Sequence, residues 1–288
     1  MPKLLSRAVI SILLFVANVA VANEYRINID NDLVAIHNKA DSKKSTQTPK
    51  AAVLLIHGWA SQMNEVGDMY LQLAARLAAK DYASLRINIR GESEGEKNNF
   101  KMTSTFASRV ADAQAGLNFL LEQYPNTPIA VVGFSLGGAT ALALTGSNPD
   151  KISSVVLWSS AGNPANMLDT MPTEVVQKVM KTGQAILQQW VDLTITRKHL
   201  QGMQGHDIFS PLAEYTGALL SIRGSDDYVP VQEPKIFASA NASPEESVLI
   251  SGADHIYHSL SADKQYVERV LTHTIRWFND TLNEKNCL

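Results

Sequence analysis

Cysteine is almost absent from this chain. Of 288 residues only Cys287 is one, so no disulfide can form within the chain and the fold must rest on its hydrophobic core. Cys287, next to the last position, reads as a terminal residue without a role, or as a thiol that pairs two chains. A basic excess is missing as well. Lys and Arg number 25 against 28 Asp and Glu, a formal net charge of −3, which leaves no electrostatic footprint for nucleic acid. Charged residues make up only 18% and hydrophobic ones 45%. That excludes a disordered chain and is enough apolar matter for one large α/β domain or two small ones. Internal repeats and low-complexity segments are lacking. No spacing of histidines and acids suggests a metal site, and no cofactor is expected.

Long apolar runs are also scarce. The most apolar stretch, Ala8 to Ala17, follows Lys3 and Arg7 and precedes Ala20-Val21-Ala22. It falls short of the ~20 residues that a membrane-spanning helix needs. A positive start, a short apolar centre and an A-x-A site read as a secretory signal over residues 1–22, cleaved after Ala22. No cysteine follows the site to carry a lipid, so the expectation is a periplasmic or secreted protein with no stable membrane anchor after cleavage. Loss of Lys3 and Arg7 leaves 23 basic against 28 acidic residues, a net charge of −5.

What remains, residues 23–288, alternates between two kinds of pattern. "EYRINIDNDLVAIHNKA" alternates apolar and polar residues and breaks at Asn31-Asp32, as a hairpin does. "AAVLLIHGWA", "ASLRINIRG", "PIAVVGF", "ISSVVLWSSAG", "GALLSIRG" and "ESVLISG" are apolar runs that end near glycine or small residues, as expected of strands buried on both faces. Helical patterns lie between them. Met69, Leu73, Ala74 and Leu77 fall on one stripe, "ASRVADAQAGLNFLLEQY" stops at Pro125, and "KQYVERVLTHTIRWFND" closes the chain. Strands alternating with helices predict an α/β fold with a mostly parallel twisted sheet and helices on both faces. The rhythm breaks from about 164 to 215, where a helical pattern ("TEVVQKVMKTGQAILQQW") and a short β-like piece ("WVDLTITRKHL") occur. An insertion of that length with its own structure predicts a lid over a site.

In a parallel sheet, ligands meet the chain at the carboxyl ends of strands. Just past those ends stand His57-Gly58-Trp59, Ser135, Gly224-Ser225-Asp226-Asp227 and Gly252-Ala253-Asp254-His255. One serine, one acid and one histidine thus follow in the order Ser, Asp, His. Ser135 lies in "GFSLG", between a strand and a helix of small residues. A serine alone in a glycine-rich turn means little; with its partners in order it reads as a nucleophile on a tight, strained turn.

The segments "LLIHGW", "NIRGESEGE", "VVGFSLGG", "GSDDYVP" and "SGADHIY" resemble those of the α/β-hydrolase superfamily. Within it they are similar to the serine-aminopeptidase-like branch, and to cinnamoyl and feruloyl esterases in particular. The resemblance covers essentially all of the chain after the signal. It implies that His255, in "GADH", is the base, that His57 is the structural histidine of an "HG" motif, and that the oxyanion hole is made by the backbone N–H groups of Trp59 and Leu136. The acid is read two ways. Gly-x-x-Asp counted from Gly224 selects Asp227, whereas Asp-x-x-Val-Pro counted back from Val229 and Pro230 selects Asp226. Gly224 marks the strand end that positions the loop, which favours Asp227 with Asp226 as the alternative. "RGESEG" is read structurally, with Glu92, Ser93 and Glu94 as solvated or hydrogen-bonded turn residues. His199 and His206 are expected to line or stabilise the insertion, and His37 and His273 to be ordinary surface or helix residues. Met167, Met171, Met180, Leu187 and Trp190 are candidate walls of a substrate site, although most suit the lid's own small core; Trp190, where a helix-like stretch turns, is the one singled out for substrate binding.

The expected function is hydrolysis of small-molecule carboxylic esters through an acyl-enzyme on Ser135. The alternatives are an aminopeptidase or amidase, a thioesterase, and a non-catalytic binding protein on the same fold. A peptidase would need a fixed acid near the site, for which the insertion offers Asp169, Glu174 and Asp192. The export expectation is checked by mass spectrometry of the expressed protein: cleavage after Ala22 gives Asn23 as the first residue, whereas an intact Met1 in the membrane fraction would make the apolar stretch an anchor.

Overall fold

The computed structural model describes residues 24–40, 48–92, 100–165 and 171–282. The expected signal segment, Ser93, Glu94, Met167, Asp169 and Cys287 lie outside these. The chain runs through β1 (Glu24–Ile29), β2 (Leu33–Asn38), β3 (Ala52–Ile56), α1 (Met69–Ala78), β4 (Ala83–Ile87), β5 (Phe100–Met102), α2 (Phe106–Gln123), β6 (Ile129–Phe134), α3 (Leu136–Ser147) and β7 (Ser154–Trp158). It continues through α4 (Thr173–Thr182), β8 (Gln184–Gln188), β9 (Asp192–Thr196), α5 (Arg197–Gly202), β10 (Ala218–Gly224), α6 (Glu233–Ser239), β11 (Glu245–Ile250) and α7 (Gln265–Thr281). Eight strands form the main sheet in the order β1-β2-β4-β3-β6-β7-β10-β11. The β1–β2 and β2–β4 pairs are antiparallel, and from β4 to β11 every pair is parallel.

The continuous apolar runs have a simple cause. Each central strand is buried on both faces, and its alternate residues feed different cores. Ala52, Leu54 and Ile56 pack into one core with Phe106, Leu117 and Leu136 of α2 and α3. Val53 and Leu55 point the other way, into a core with Met69, Leu73 and Leu77 of α1 and Val267, Leu271 and Phe278 of α7. The start of α2 is capped reciprocally by Thr105 and Ser108, which satisfies two otherwise orphaned N–H groups. His37, expected at the surface, is instead buried on β2. It shares a 2.7 Å hydrogen bond with the Tyr124 hydroxyl, and burial pushes its pKa down to about 4. The reason is that β2 is not a free hairpin arm. It pairs with β4 and so joins the covered part of the sheet.

The segment after β7 differs from its sequence reading at one point. The helical pattern was expected to reach Trp190, but α4 ends at Thr182 and Gln184–Gln188 is a strand. Gly183 adopts φ 93°, the left-handed conformation that ends helices. Beyond it Ala185 and Leu187 point inward while their neighbours face out, a period of two, not of 3.6. β8 pairs antiparallel with β9, and β9 pairs parallel with β5. This three-stranded sheet has its own small core, made by Phe100, Met102, Val179, Leu187, Leu193 and Ile195. Among the described residues no helix is long and apolar enough to cross a membrane.

The tightest contact of the fold lies where α3 leaves β6. A Cβ placed on Gly137 would sit 2.1 Å from the Ile56 carbonyl oxygen and 2.6 Å from that of His57. Both are backbone atoms, so no rotamer change relieves the clash. Gly137→Ala is therefore expected to destabilise the protein by about 3 kcal/mol or more, read as a lowered urea midpoint; an unchanged midpoint would mean that α3 can shift away from β3.

Candidate active site

The strand-to-helix turn at "GFSLG" leaves Ser135 at φ 53°, ψ −120°, a conformation that costs a non-glycine residue roughly 1–3 kcal/mol. The surroundings hold it there. Ser135 N–H donates to the Trp158 carbonyl at 2.9 Å, and its own carbonyl accepts from Gly138 N–H at 2.9 Å and Ala161 N–H at 3.0 Å. Gly133 is required for the same turn, since a Cβ there would meet the Gly137 carbonyl oxygen at 2.3 Å.

The Ser135 hydroxyl lies 3.0 Å from Nε2 of His255. On the other side of the ring, Nδ1 lies 2.8 Å from Oδ1 of Asp227. Only a carboxylate acceptor faces Nδ1, so the proton sits there and Nε2 is left to accept from serine. His255 is buried between two aromatic rings, Phe134 at 5.1 Å and Tyr228 at 4.7 Å between centroids. The Asp227 side chain is fully buried. Burial by itself would raise its pKa, but the hydrogen bond and charge interaction with His255, helped by the Val229 N–H at 2.9 Å, hold it below the usual carboxylate range. Its Oδ2 faces the Arg223 guanidinium at 3.9 Å. Asp226 is not brought to the histidine. It is exposed and accepts from the Ser225 hydroxyl at 2.7 Å.

Two backbone N–H groups beside Ser135 have no hydrogen-bond partner among the described residues, those of Trp59 and Leu136. The neighbouring amides of the first are all occupied: Gly58 N–H donates to Glu65 at 2.6 Å and Ala60 N–H to Glu92 at 3.2 Å. Leu136 opens α3, so its N–H is free by helix geometry and carries the positive end of the helix dipole. His57 is fully committed elsewhere. Its Nδ1–H donates to the Gly58 carbonyl at 2.7 Å and its Nε2 accepts from Ile89 N–H at 3.0 Å. Burial pushes its pKa down to about 4, which keeps it neutral.

Of the two readings the sequence left for Glu92, a solvated or a hydrogen-bonded turn residue, it is the second. It is fully buried and pairs with Arg109, which is also fully buried. Burial opposes the Glu92 charge, but Arg109 more than compensates and keeps its pKa low. The pair grips the loop after β3, for Arg109 Nη2 also donates to the His57 carbonyl at 2.6 Å. Sequence reasoning missed Arg109. Its signal was a lone arginine three residues after Phe106 on the buried stripe of α2. His199 was expected to line or stabilise the insertion; it is fully buried on α5 and accepts from the Trp59 indole N–H at 2.9 Å. His206 bonds to the Gly202 carbonyl at 3.0 Å and packs its ring on Phe106 of α2, with centroids 4.9 Å apart.

Ser135 and His255 open into a cleft of about 840 Å³. Its apolar wall includes Trp59, Phe134, Met171, Leu187 and Trp190. Met171 and Leu187 do double duty, because they also belong to the small core of the β5–β9–β8 sheet. Met180 does neither: it is 43% exposed on the outer side of α4 and lies off the cleft. Trp190 is 63% exposed at the rim and meets Trp59 edge to face, with centroids 6.4 Å apart. Glu174 and Asp192 are exposed and line none of it. The carboxylates that do line it, Glu65 and Asp68, come from the loop after β3. Among the described residues no group of three or more His, Cys, Asp or Glu is arranged to hold a metal ion.

Known proteins agree with this architecture. The sequence profile of the family described as "Serine aminopeptidase, S33" matches residues 47–213. Monoglyceride lipase from Rattus norvegicus is 29% identical over 119 residues, which is 40% of this chain and 37% of the lipase. The chain therefore spans little more than a third of the monoglyceride lipases that it matches. Among solved structures, Est1E from Butyrivibrio proteoclasticus with ferulic acid bound superposes with a TM-score of 0.71 at 16% identity, covering 89% of this chain and 99% of Est1E. The esterase domain of a Rhodothermus marinus protein gives 0.63 at 19% identity, covering 91% and 99%. Identities this low speak for the fold, which is that of the α/β-hydrolases. With more than half of its length matched by the family profile, the chain belongs to the serine aminopeptidase S33 family of hydrolases.

Proposed function

We propose that the protein is an exported serine esterase, periplasmic or secreted, that cleaves small-molecule carboxylic esters with Ser135, His255 and Asp227. The observation that carries this reading is the unbroken line from the Ser135 hydroxyl through His255 to Asp227, at 3.0 and 2.8 Å, beside two unpartnered amides. His255 Nε2 takes the hydroxyl proton as Ser135 attacks the ester carbonyl. The tetrahedral oxyanion is held by the N–H groups of Trp59 and Leu136. His255 then returns its proton to the leaving alcohol, and the acyl-enzyme is hydrolysed by a water that His255 activates in turn. Asp227 keeps the proton of the resting ring on Nδ1 and stabilises the imidazolium.

Esters are favoured over peptides by the carboxylates at the cleft. A peptidase of this kind needs an acid free to hold a substrate amine. Glu65 lines the cleft, but its oxygens already accept from Gly58 N–H, the Ser61 hydroxyl and Val66 N–H; Asp68, the other carboxylate there, is exposed, where water screens its attraction for an amine. No lysine or arginine among the described residues lines the cleft, which suits an uncharged substrate. The aromatic rim of Trp59 and Trp190 supports an aryl group on the acid, in line with the ferulic acid named for Est1E.

Ser135→Ala is expected to lower turnover of p-nitrophenyl esters by about 10⁴-fold or more with folding intact, and a fluorophosphonate is expected to label Ser135 alone. Asp227→Asn should lose far more activity than Asp226→Asn, which should stay close to the parent. The opposite ranking would return the acid to Asp226. Trp190→Ala should shift relative kcat/KM between aryl and short alkyl esters by roughly tenfold, about 1.4 kcal/mol of differential transition-state binding. Unchanged ratios would remove Trp190 from the substrate site.

A further inference from the structure

We propose that His199, which lines no part of the cleft, is a positioning residue for the oxyanion hole: it holds the Trp59 indole and through it the orientation of the Trp59 N–H. This rests on the serine mechanism proposed above. The loop from His57 to Ala60 is pinned at four of its backbone polar atoms. Arg109 takes the His57 carbonyl, Glu65 the Gly58 N–H, His57 itself the Gly58 carbonyl and Glu92 the Ala60 N–H. The residue in the middle, Trp59, has an unpartnered N–H and a half-buried side chain at the cleft. What fixes that side chain comes from α5, the helix that follows β9. Its Nε1–H donates to His199 Nε2 at 2.9 Å, and the two rings lie 27° from parallel.

The chemistry of this contact permits one arrangement. An indole nitrogen only donates, so Nε2 must be bare. The proton is then on Nδ1, which donates to the Ser104 carbonyl at 2.8 Å. Ser104 in turn donates from its hydroxyl to Glu92 at 2.8 Å, the same carboxylate that holds Ala60 N–H. Burial keeps His199 below its ordinary pKa, as does the Arg109 charge, against the opposing pull of Glu92. A charged His199 would turn a donor toward the indole donor and break the contact. The backbone N–H of His199 is itself held by the Thr196 hydroxyl, which donates to the Met102 carbonyl. The segment between β7 and β10 therefore reaches under the oxyanion loop as well as over the cleft.

The test compares three variants of the full chain. His199→Phe keeps a ring and removes the acceptor. It is expected to lower kcat by about 10- to 100-fold, the partial loss of one oxyanion donor. KM should stay within about threefold, since no cleft-lining residue is replaced, and the thermal midpoint shows whether the variant is folded. Binding of a trifluoromethyl ketone, which forms a tetrahedral oxyanion on the serine, should weaken by the same factor as kcat. His199→Gln, whose amide can accept from the indole and donate to Ser104, should recover most of the loss. Trp59→Phe removes the donor from the cleft side and should reproduce the His199→Phe loss; it carries the test if His199→Phe does not fold. A kcat within twofold of the parent in the folded variants, an effect on KM alone, or a Gln variant as impaired as the Phe variant would overturn the positioning role. Fluorophosphonate labelling of the parent separates the two readings. An unlabelled parent overturns both, whereas a labelled parent with unaffected variants overturns this one only.

Discussion

The approach of α3 to β3 is the constraint on which the rest of the site depends. Gly137 lies so near the Ile56 and His57 carbonyl oxygens that a methyl group has no room. That contact brings the first turn of one helix against the end of a neighbouring strand. As a result Leu136 and Trp59, from distant parts of the chain, line one cleft together with Ser135. The strained backbone at Ser135 belongs to the same arrangement. Its cost is offset by three backbone hydrogen bonds, to Trp158, Gly138 and Ala161, and by the burial of nearly the whole of α3. Strain maintained this way is over-determined by its surroundings and fixes where the hydroxyl stands.

Beneath that contact lies a fully buried ion pair. Taking Glu92 and Arg109 out of water is costly, and a buried pair of this kind is poor support for stability as such. What it provides is geometry. Each partner has one polar arm on the other and one on the loop after β3, at the Ala60 N–H and the His57 carbonyl. A hydrophobic pair of equal volume could fill the space but could not hold those backbone groups. His57, neutral and doubly bonded, fixes the same loop from the side of the sheet. The loop is thus rigid for reasons spread over α2, the turn after β4 and the strand end itself.

The cleft shows a second division of labour. Ser135, Asp227 and His255 follow strands of the main sheet, and the β5–β9–β8 sheet supplies much of the apolar wall through Leu187 and Trp190. Leu187 is at once core for its own sheet and wall for the cleft, because a thin three-stranded layer has no depth to separate the two roles. A change to that wall is therefore also a change to the core beneath it, whereas Ser135, Asp227 and His255 sit on a much larger core.

From the sequence alone, the strands and helices of the main sheet were legible, since burial on both faces writes unbroken apolar runs and one-sided burial writes a 3.6-residue stripe. The order Ser, Asp, His at strand ends and the glycines around Ser135 were legible for the same reason: they are local features of a strand leaving a sheet. The break of α4 at Gly183 was within reach too, but helical periodicity and strand alternation compete over a segment that short. Tertiary structure alone decided the rest. Two adjacent aspartates have the same chemistry, and only the path of the loop after β10 turns Asp227 inward to His255 and leaves Asp226 in water. Glu92 looks like a surface charge until Arg109, on a helix 17 residues further on, is packed against it. His199 meets Trp59 across 140 residues of chain, and no periodicity records which of several histidines a fold will bury beneath which loop. Local pattern reports how a segment meets its immediate surroundings; partners far apart in sequence are chosen by how the layers stack.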